Sequence, residues 1–155
     1  MSALAPRSTR ARSRWALAAV LLVTACGGDD TAAPASASAD VTFHAIDADI
    51  FMGACTLPCH SGGVNAAGGL DMKVDPFAKL VGAAPAAPQC AGIGIDLVTP
   101  GDPEQSLLYR KVAAKIDGTD PPCGEGMPSG PNKAALTPEE GARIRDWIAA
   151  GARDD

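Results

Sequence analysis

The chain has 155 residues, 46% of them hydrophobic, with 13 basic against 18 acidic side chains and a formal net charge of −5. That length fits one small domain plus whatever is removed or left as a tether. The acidic balance argues against nucleic acid as a partner, because phosphate neutralisation needs clustered Lys and Arg.

The first segment, residues 1–25, reads as a signal peptide rather than as fold. Arg7, Arg10, Arg12 and Arg14 form a basic start, and Trp15 to Ala25 is an apolar run of the length expected for export. It is shorter than the about 20 residues that span a bilayer. Val23-Thr24-Ala25-Cys26 resembles the bacterial lipobox, in which the cysteine is lipidated and becomes the mature N-terminus. Gly27 stands where an aspartate would argue for inner-membrane retention, so a cell-envelope lipoprotein, periplasmic or surface-exposed and sorted to the outer membrane, is expected. Residues 26–40 read as a flexible tether, Thr31 to Asp40 being mostly Ala, Ser and Pro without periodicity. The domain is placed at 41–155. Loss of the four leader arginines leaves nine basic side chains against 18 acidic ones, a surface suited to a basic partner protein or to solubility.

Val41 to Met52 predicts a helix, with Phe43, Ile46 and Ile50 on one face. His44 on this helix reads as an ordinary surface or partly packed histidine. The helix leads into Ala54-Cys55-Thr56-Leu57-Pro58-Cys59-His60-Ser61. In an exported protein, two cysteines ending in Cys-His form the pattern for covalent haem attachment: thioethers hold the porphyrin vinyls and the histidine takes an axial iron position. The usual spacing has two residues between the cysteines, and here there are three.

Ser61 to Gly69 is a glycine-rich loop, and Asp75-Pro76 reads as N-cap and first position of a short helix carrying Phe77, Leu80 and Val81. Ala91 to Thr99 carries no firm signal. Asp102-Pro103-Glu104-Gln105 combines an N-cap, a proline and a capping partner, predicting a helix to about Ile116 with Leu108, Tyr109, Val112, Ala113 and Ile116 on its inner face. Asp117 to Pro131 is a loop containing Cys123 and Met127. Thr137-Pro138-Glu139-Glu140 starts a last helix to about Ala150, burying Ile144, Trp147 and Ile148 before Gly151 stops it. No stretch reads as a strand, so the class is all-α: a small domain with three main helices and long loops. Loops this long need something to organise them. The domain has only five large aromatics, so a haem filling the core is one candidate organiser and disulfides are another.

Four cysteines remain in the domain, and an oxidising compartment makes idle thiols improbable. Either Cys55 and Cys59 hold haem while Cys90 and Cys123 form a disulfide, or all four make two disulfides without a cofactor.

Taken in order, the helix into Cys-Cys-His, Gly68 to Asp71, Pro100 to Tyr109, Met127-Pro128 and Leu136 to Ala152 resemble the cytochrome c-like domains of exported planctomycete and myxobacterial proteins. The similarity runs from about Phe43 to Ala152, and its specificity lies in the ordered set. It implies a class I cytochrome c arrangement, with the first and last helices packed across each other beside one covalently attached haem c. Cys55 and Cys59 would be the thioether ligands, His60 the proximal and Met127 the distal axial ligand. The departure is the three-residue gap, which requires the loop to bulge within the limits that Pro58 sets. A Cys90–Cys123 disulfide would flank the middle helix, fix the loop carrying Met127 and contribute roughly 2 to 4 kcal/mol.

The function expected on this reading is electron transfer between redox partner proteins by a lipid-anchored mono-haem cytochrome. The alternatives are a haem-free, disulfide-stapled envelope module acting in binding or structure, and a zinc site using Cys55, Cys59 and His60 with a fourth ligand. No enzyme activity is expected. His44 and His60 are the only histidines, and the acidic residues read mostly as caps and solvated faces.

Overall fold

The computed structural model describes residues 41–57 and 59–155. The signal segment 1–25, the lipidation candidate Cys26, the tether 26–40 and Pro58 lie outside the described residues. No helix of the described residues is long and apolar enough to cross a membrane.

Helix α1, Phe43–Ile46, starts at Thr42, whose Oγ1 accepts the Ala45 N–H at 3.2 Å. The expected α-helix to Met52 is corrected at this point. From Asp47 to Thr56 the chain runs on as a π-helix, with one more residue in each hydrogen-bonded loop. The wider turn changes which residues face inward. Phe43, Ile46, Ile50, Phe51 and Thr56 are buried, whereas Leu57, which α-helical spacing from Ile50 would have turned inward, is 65% exposed.

Two short 3₁₀ turns follow, Gly63–Asn65 and Ala67–Gly69, and then α2, Pro76–Leu80, capped by Asp75 through the Ala78 N–H. The predicted helix from Asp102 is also corrected. Asp102 does cap a turn, accepting from the Gln105 N–H at 3.1 Å, but that turn is 3₁₀ and covers only Pro103–Gln105. Ser106 then returns to extended geometry, and α3 runs Leu107–Asp117. The break arises because the unassigned segment before it supplies partners: the Asp96 and Leu97 carbonyls accept the Leu107 and Leu108 N–H groups, both at 2.9 Å. Ser106 Oγ also accepts the Thr99 N–H at 2.8 Å. These bonds satisfy amide groups that an uncapped helix start leaves orphaned. The inner face of α3 differs accordingly from its prediction. Leu107, Lys111, Val112 and Ala114 are buried, while Leu108, Tyr109, Ala113 and Ile116 are partly buried.

Helix α4, Pro138–Ala149, begins with both halves of a capping box: Thr137 Oγ1 accepts the Glu140 N–H at 3.2 Å and Glu140 Oε2 accepts the Thr137 N–H at 2.8 Å. Ile144, Trp147 and Ile148 are buried, as its pattern predicts, and the helix ends at Ala150 before Gly151 at φ 103°. Strands are absent among the described residues, which hold two isolated parallel bridges, Val81 with Val98 and Asp96 with Ser106. The class is therefore all-α.

The core joins the first and last helices. The Phe43 ring lies 5.3 Å from Trp147, 5.2 Å from Phe77 and 6.3 Å from Phe51, centroid to centroid. Each such pair adds about 0.5 to 1.5 kcal/mol beyond its buried area. The aromatic cluster belongs to one continuous core with Met72, Leu80, Val112 and Leu136, and those four residues also border a cavity.

Candidate functional site

The cavity measures about 470 Å³, within the roughly 300 to 1,000 Å³ range of small-molecule and cofactor sites. Met72, Leu80, Val112 and Leu136 belong both to the core and to its wall. Among the described residues no Phe, Tyr or Trp lines it. Cys55, Cys59, His60 and Met127 all do. Residues separated by more than 60 positions are thus brought to one space, while His44 sits exposed on α1 and takes no part.

The π-helix ends at Thr56, between the two cysteines. In Cys55-to-His60 the histidine is five residues on, and the His60 N–H donates to the Cys55 carbonyl at 3.0 Å, an i→i+5 closure. The Leu57 N–H closes the preceding loop on the Met52 carbonyl at 3.2 Å in the same way. With two intervening residues the corresponding bond would be the i→i+4 closure of an α-turn. The Cys55 carbonyl also accepts the Cys59 N–H at 3.3 Å, and Cys55, Cys59 and His60 line one cavity.

His60 is oriented by the backbone. Its Nδ1 lies 3.2 Å from the Leu70 carbonyl oxygen. A carbonyl only accepts, so Nδ1 is the donor in this bond, and in the neutral ring Nε2 would then be the nitrogen with the lone pair, the arrangement a metal-ligating histidine adopts when its other nitrogen is tied off. The loop between them is fixed at both ends: the Met72 N–H donates to the His60 carbonyl at 2.8 Å and the Ala67 N–H to the Cys59 carbonyl at 3.0 Å. Asp71 clips the loop from outside, accepting the Gly63 N–H at 2.6 Å and the Lys73 N–H at 3.0 Å. Those two amides, that of Lys73 foremost, hold its carboxyl below the usual carboxylate range.

Cys55 and Cys59 are free thiols. Burial, reinforced by the neighbouring Cys59, pushes the Cys55 thiol up to about 11, so it remains protonated at neutral pH. A zinc ligand would have to give up that proton. Among the described residues no group of three or more His, Cys, Asp or Glu side chains is placed to hold a metal ion. Cys90 and Cys123, by contrast, are joined as a disulfide with their Cα atoms 5.3 Å apart. Cys90 lines the cavity, and Cys123 precedes Gly124 and Glu125, which line it as well.

Lys111 carries no signal in the sequence reading, and yet it is 9% exposed and lines the cavity. Its Nζ donates to the Cys123 carbonyl at 2.6 Å and to the Glu125 carbonyl at 3.0 Å. Burial lowers its pKa, opposed by the Glu125 charge. A lysine inside the apolar spacing of Leu107, Lys111 and Val112 is the one trace it leaves in the sequence. The Leu70 carbonyl leaves none, because any residue there supplies the same oxygen.

The donor set fits one covalently attached haem. Two thiols, an imidazole with a free Nε2 and a thioether share an apolar-walled cavity of suitable volume. No family model matches the chain, and no curated protein or solved structure matches it.

Proposed function

We propose that the protein is an exported, lipid-anchored, mono-haem c-type cytochrome that carries electrons between redox partner proteins at the cell envelope. The observation that carries this reading is His60: its Nδ1 is bonded to the Leu70 carbonyl, and it stands beside two free thiols on a cavity whose lining includes Met127. The haem supplies a one-electron Fe(III)/Fe(II) couple, and histidine–methionine ligation favours electron transfer by raising the potential.

The chain's own residues hold and insulate. Cys55 and Cys59 would provide the sulfurs for the two thioethers, and the Leu70 carbonyl would hold the imidazole so that Nε2 is the atom offered to the iron. Met127 would offer its thioether as a further iron ligand. The aliphatic wall of Met72, Leu80, Val112 and Leu136 excludes water and lowers the local dielectric.

His60→Ala tests the reading. In a host that matures the wild-type protein, this variant is expected to yield no stable holoprotein, read as absorbance per mole of purified chain. Normal haem content in the variant would contradict the axial role of His60.

A further inference from the structure

We infer that Lys111 is a positioning residue for Met127, its buried ammonium serving as the knot that holds the methionine loop against helix α3; this rests on the haem reading for its spectroscopic consequence and on geometry alone for its structural one. Residues 118–131 form no helix, so Met127 is placed by ties to other segments. Besides the Cys90–Cys123 bridge, these ties come from α3. Lys111 Nζ reaches two carbonyls of the loop, those of Cys123 and Glu125, at 2.6 and 3.0 Å. The Lys111 carbonyl in turn accepts the Met127 N–H at 2.9 Å. One residue thus ties the loop by both its side chain and its backbone, on either side of the stretch that ends at the thioether.

Two neighbouring features act in the same direction. One turn further along α3, Lys115 Nζ donates to the Gly130 carbonyl at 3.5 Å, a long and weaker tie. Between the two lysines the loop passes so close to the helix that a Cβ on Gly126 would sit 3.2 Å from the Lys115 backbone nitrogen and 3.1 Å from its Cβ. A side chain there would press on the α3 backbone and could be taken up only by a shift of a few tenths of an ångström. An ammonium suits the task because it offers three donors on a compact head and can serve several carbonyls at once. Carbonyl partners also give a buried charge the hydrogen bonds without which its burial is costly.

The test uses the full chain, matured in a host that loads the wild-type protein, with Lys111→Met, Lys111→Arg and Gly126→Ala. Lys111→Met keeps the length and apolar stem of the side chain and removes its donors. The expected result is one haem per chain as in wild type, loss of the charge-transfer band of methionine-ligated ferric haem, and a lower reduction potential. Lys111→Arg, which restores donors, recovers part of the band, and Gly126→Ala, which pushes the loop off the helix without touching charge, weakens it.

Amide exchange provides a reading independent of haem. The Met127 N–H is expected to exchange at least about tenfold faster in Lys111→Met, as for a segment released into local opening, while the Ile148 N–H in the core keeps its wild-type rate. An unchanged band and unchanged Met127 exchange would overturn the positioning role, as would equal acceleration at Met127 and Ile148, which marks general destabilisation. If wild type and variants all lack haem but Met127 exchange still accelerates selectively, the cytochrome reading falls and the role of Lys111 in holding this loop stands.

Discussion

Cys55, Cys59 and His60 are placed by the chain immediately around them, whereas Met127, which lines the same cavity, is placed by residues remote from it in sequence. On the first side the helix that begins at Phe43 widens into π geometry, and the His60 N–H closes on the Cys55 carbonyl at 3.0 Å. The ring is then turned by Leu70, ten positions on. On the second side an irregular loop is fastened to α3 by Lys111 and to the segment before α3 by the Cys90–Cys123 bridge, which spans 33 positions. A ligand on a helical turn inherits the stability of the helix, while a ligand on a loop needs separate ties. The two sides should therefore fail separately.

The largest effect is expected on the helical side. His60→Ala should abolish holoprotein, a loss beyond the roughly 10- to 100-fold that removing a hydrogen-bond partner of a metal ligand typically causes. The complementary break is the double variant Cys90→Ala/Cys123→Ala. It should cost about 2 to 4 kcal/mol in denaturant unfolding, with haem still attached and the methionine-ligation band weakened. An intact band together with that loss of stability would mean that the bridge stabilises the domain without positioning Met127.

A smaller and pH-dependent effect sharpens the helical side. Asp71 is held below the usual carboxylate range by the Lys73 and Gly63 amides. A depressed carboxyl contributes stability that is complete above its unfolded value and lost as the pH falls through its folded value. The clip on the loop of residues 61–69 should thus hold at neutral pH and release only under acid conditions. Amide exchange at Gly63, corrected for its intrinsic pH dependence, should lose protection on acidification in wild type, and Asp71→Asn should remove that transition. The smallest effect is expected at the exposed Asp49–Arg143 ion pair, 2.9 Å long, between the π-helix and α4. Asp49→Asn should change the unfolding free energy by less than about 1 kcal/mol and leave both sides of the cavity unaltered by spectrum.

What could be read from the sequence follows the same division. The capping box at Thr137 and the apolar spacing of Ile144, Trp147 and Ile148 are local signals, and α4 forms where they place it. The Cys-Cys-His spacing likewise identifies residues that line the cavity. The π-helix was not legible, because apolar spacing from Phe43 to Ile50 fits either period and only the burial of Phe51 and Thr56 with Leu57 exposed separates them. The split of the predicted Asp102 helix depends on the Asp96 and Leu97 carbonyls, backbone groups that no side-chain pattern encodes. The role of Lys111 is hidden for a related reason: a lysine on a helix ordinarily points to solvent, and its carbonyl partners are set by the path of a loop 12 to 14 positions away.

The most direct measurement is a pyridine haemochrome spectrum with an intact mass, on protein purified from its own cells, where the maturation machinery suited to this cysteine spacing operates. The expected result is a c-type band and a mass carrying one covalent haem per chain. A colourless protein whose mass is that of the processed chain less the hydrogens of two disulfides would contradict it, and would leave a helical scaffold stapled at Cys90–Cys123 and at Cys55–Cys59.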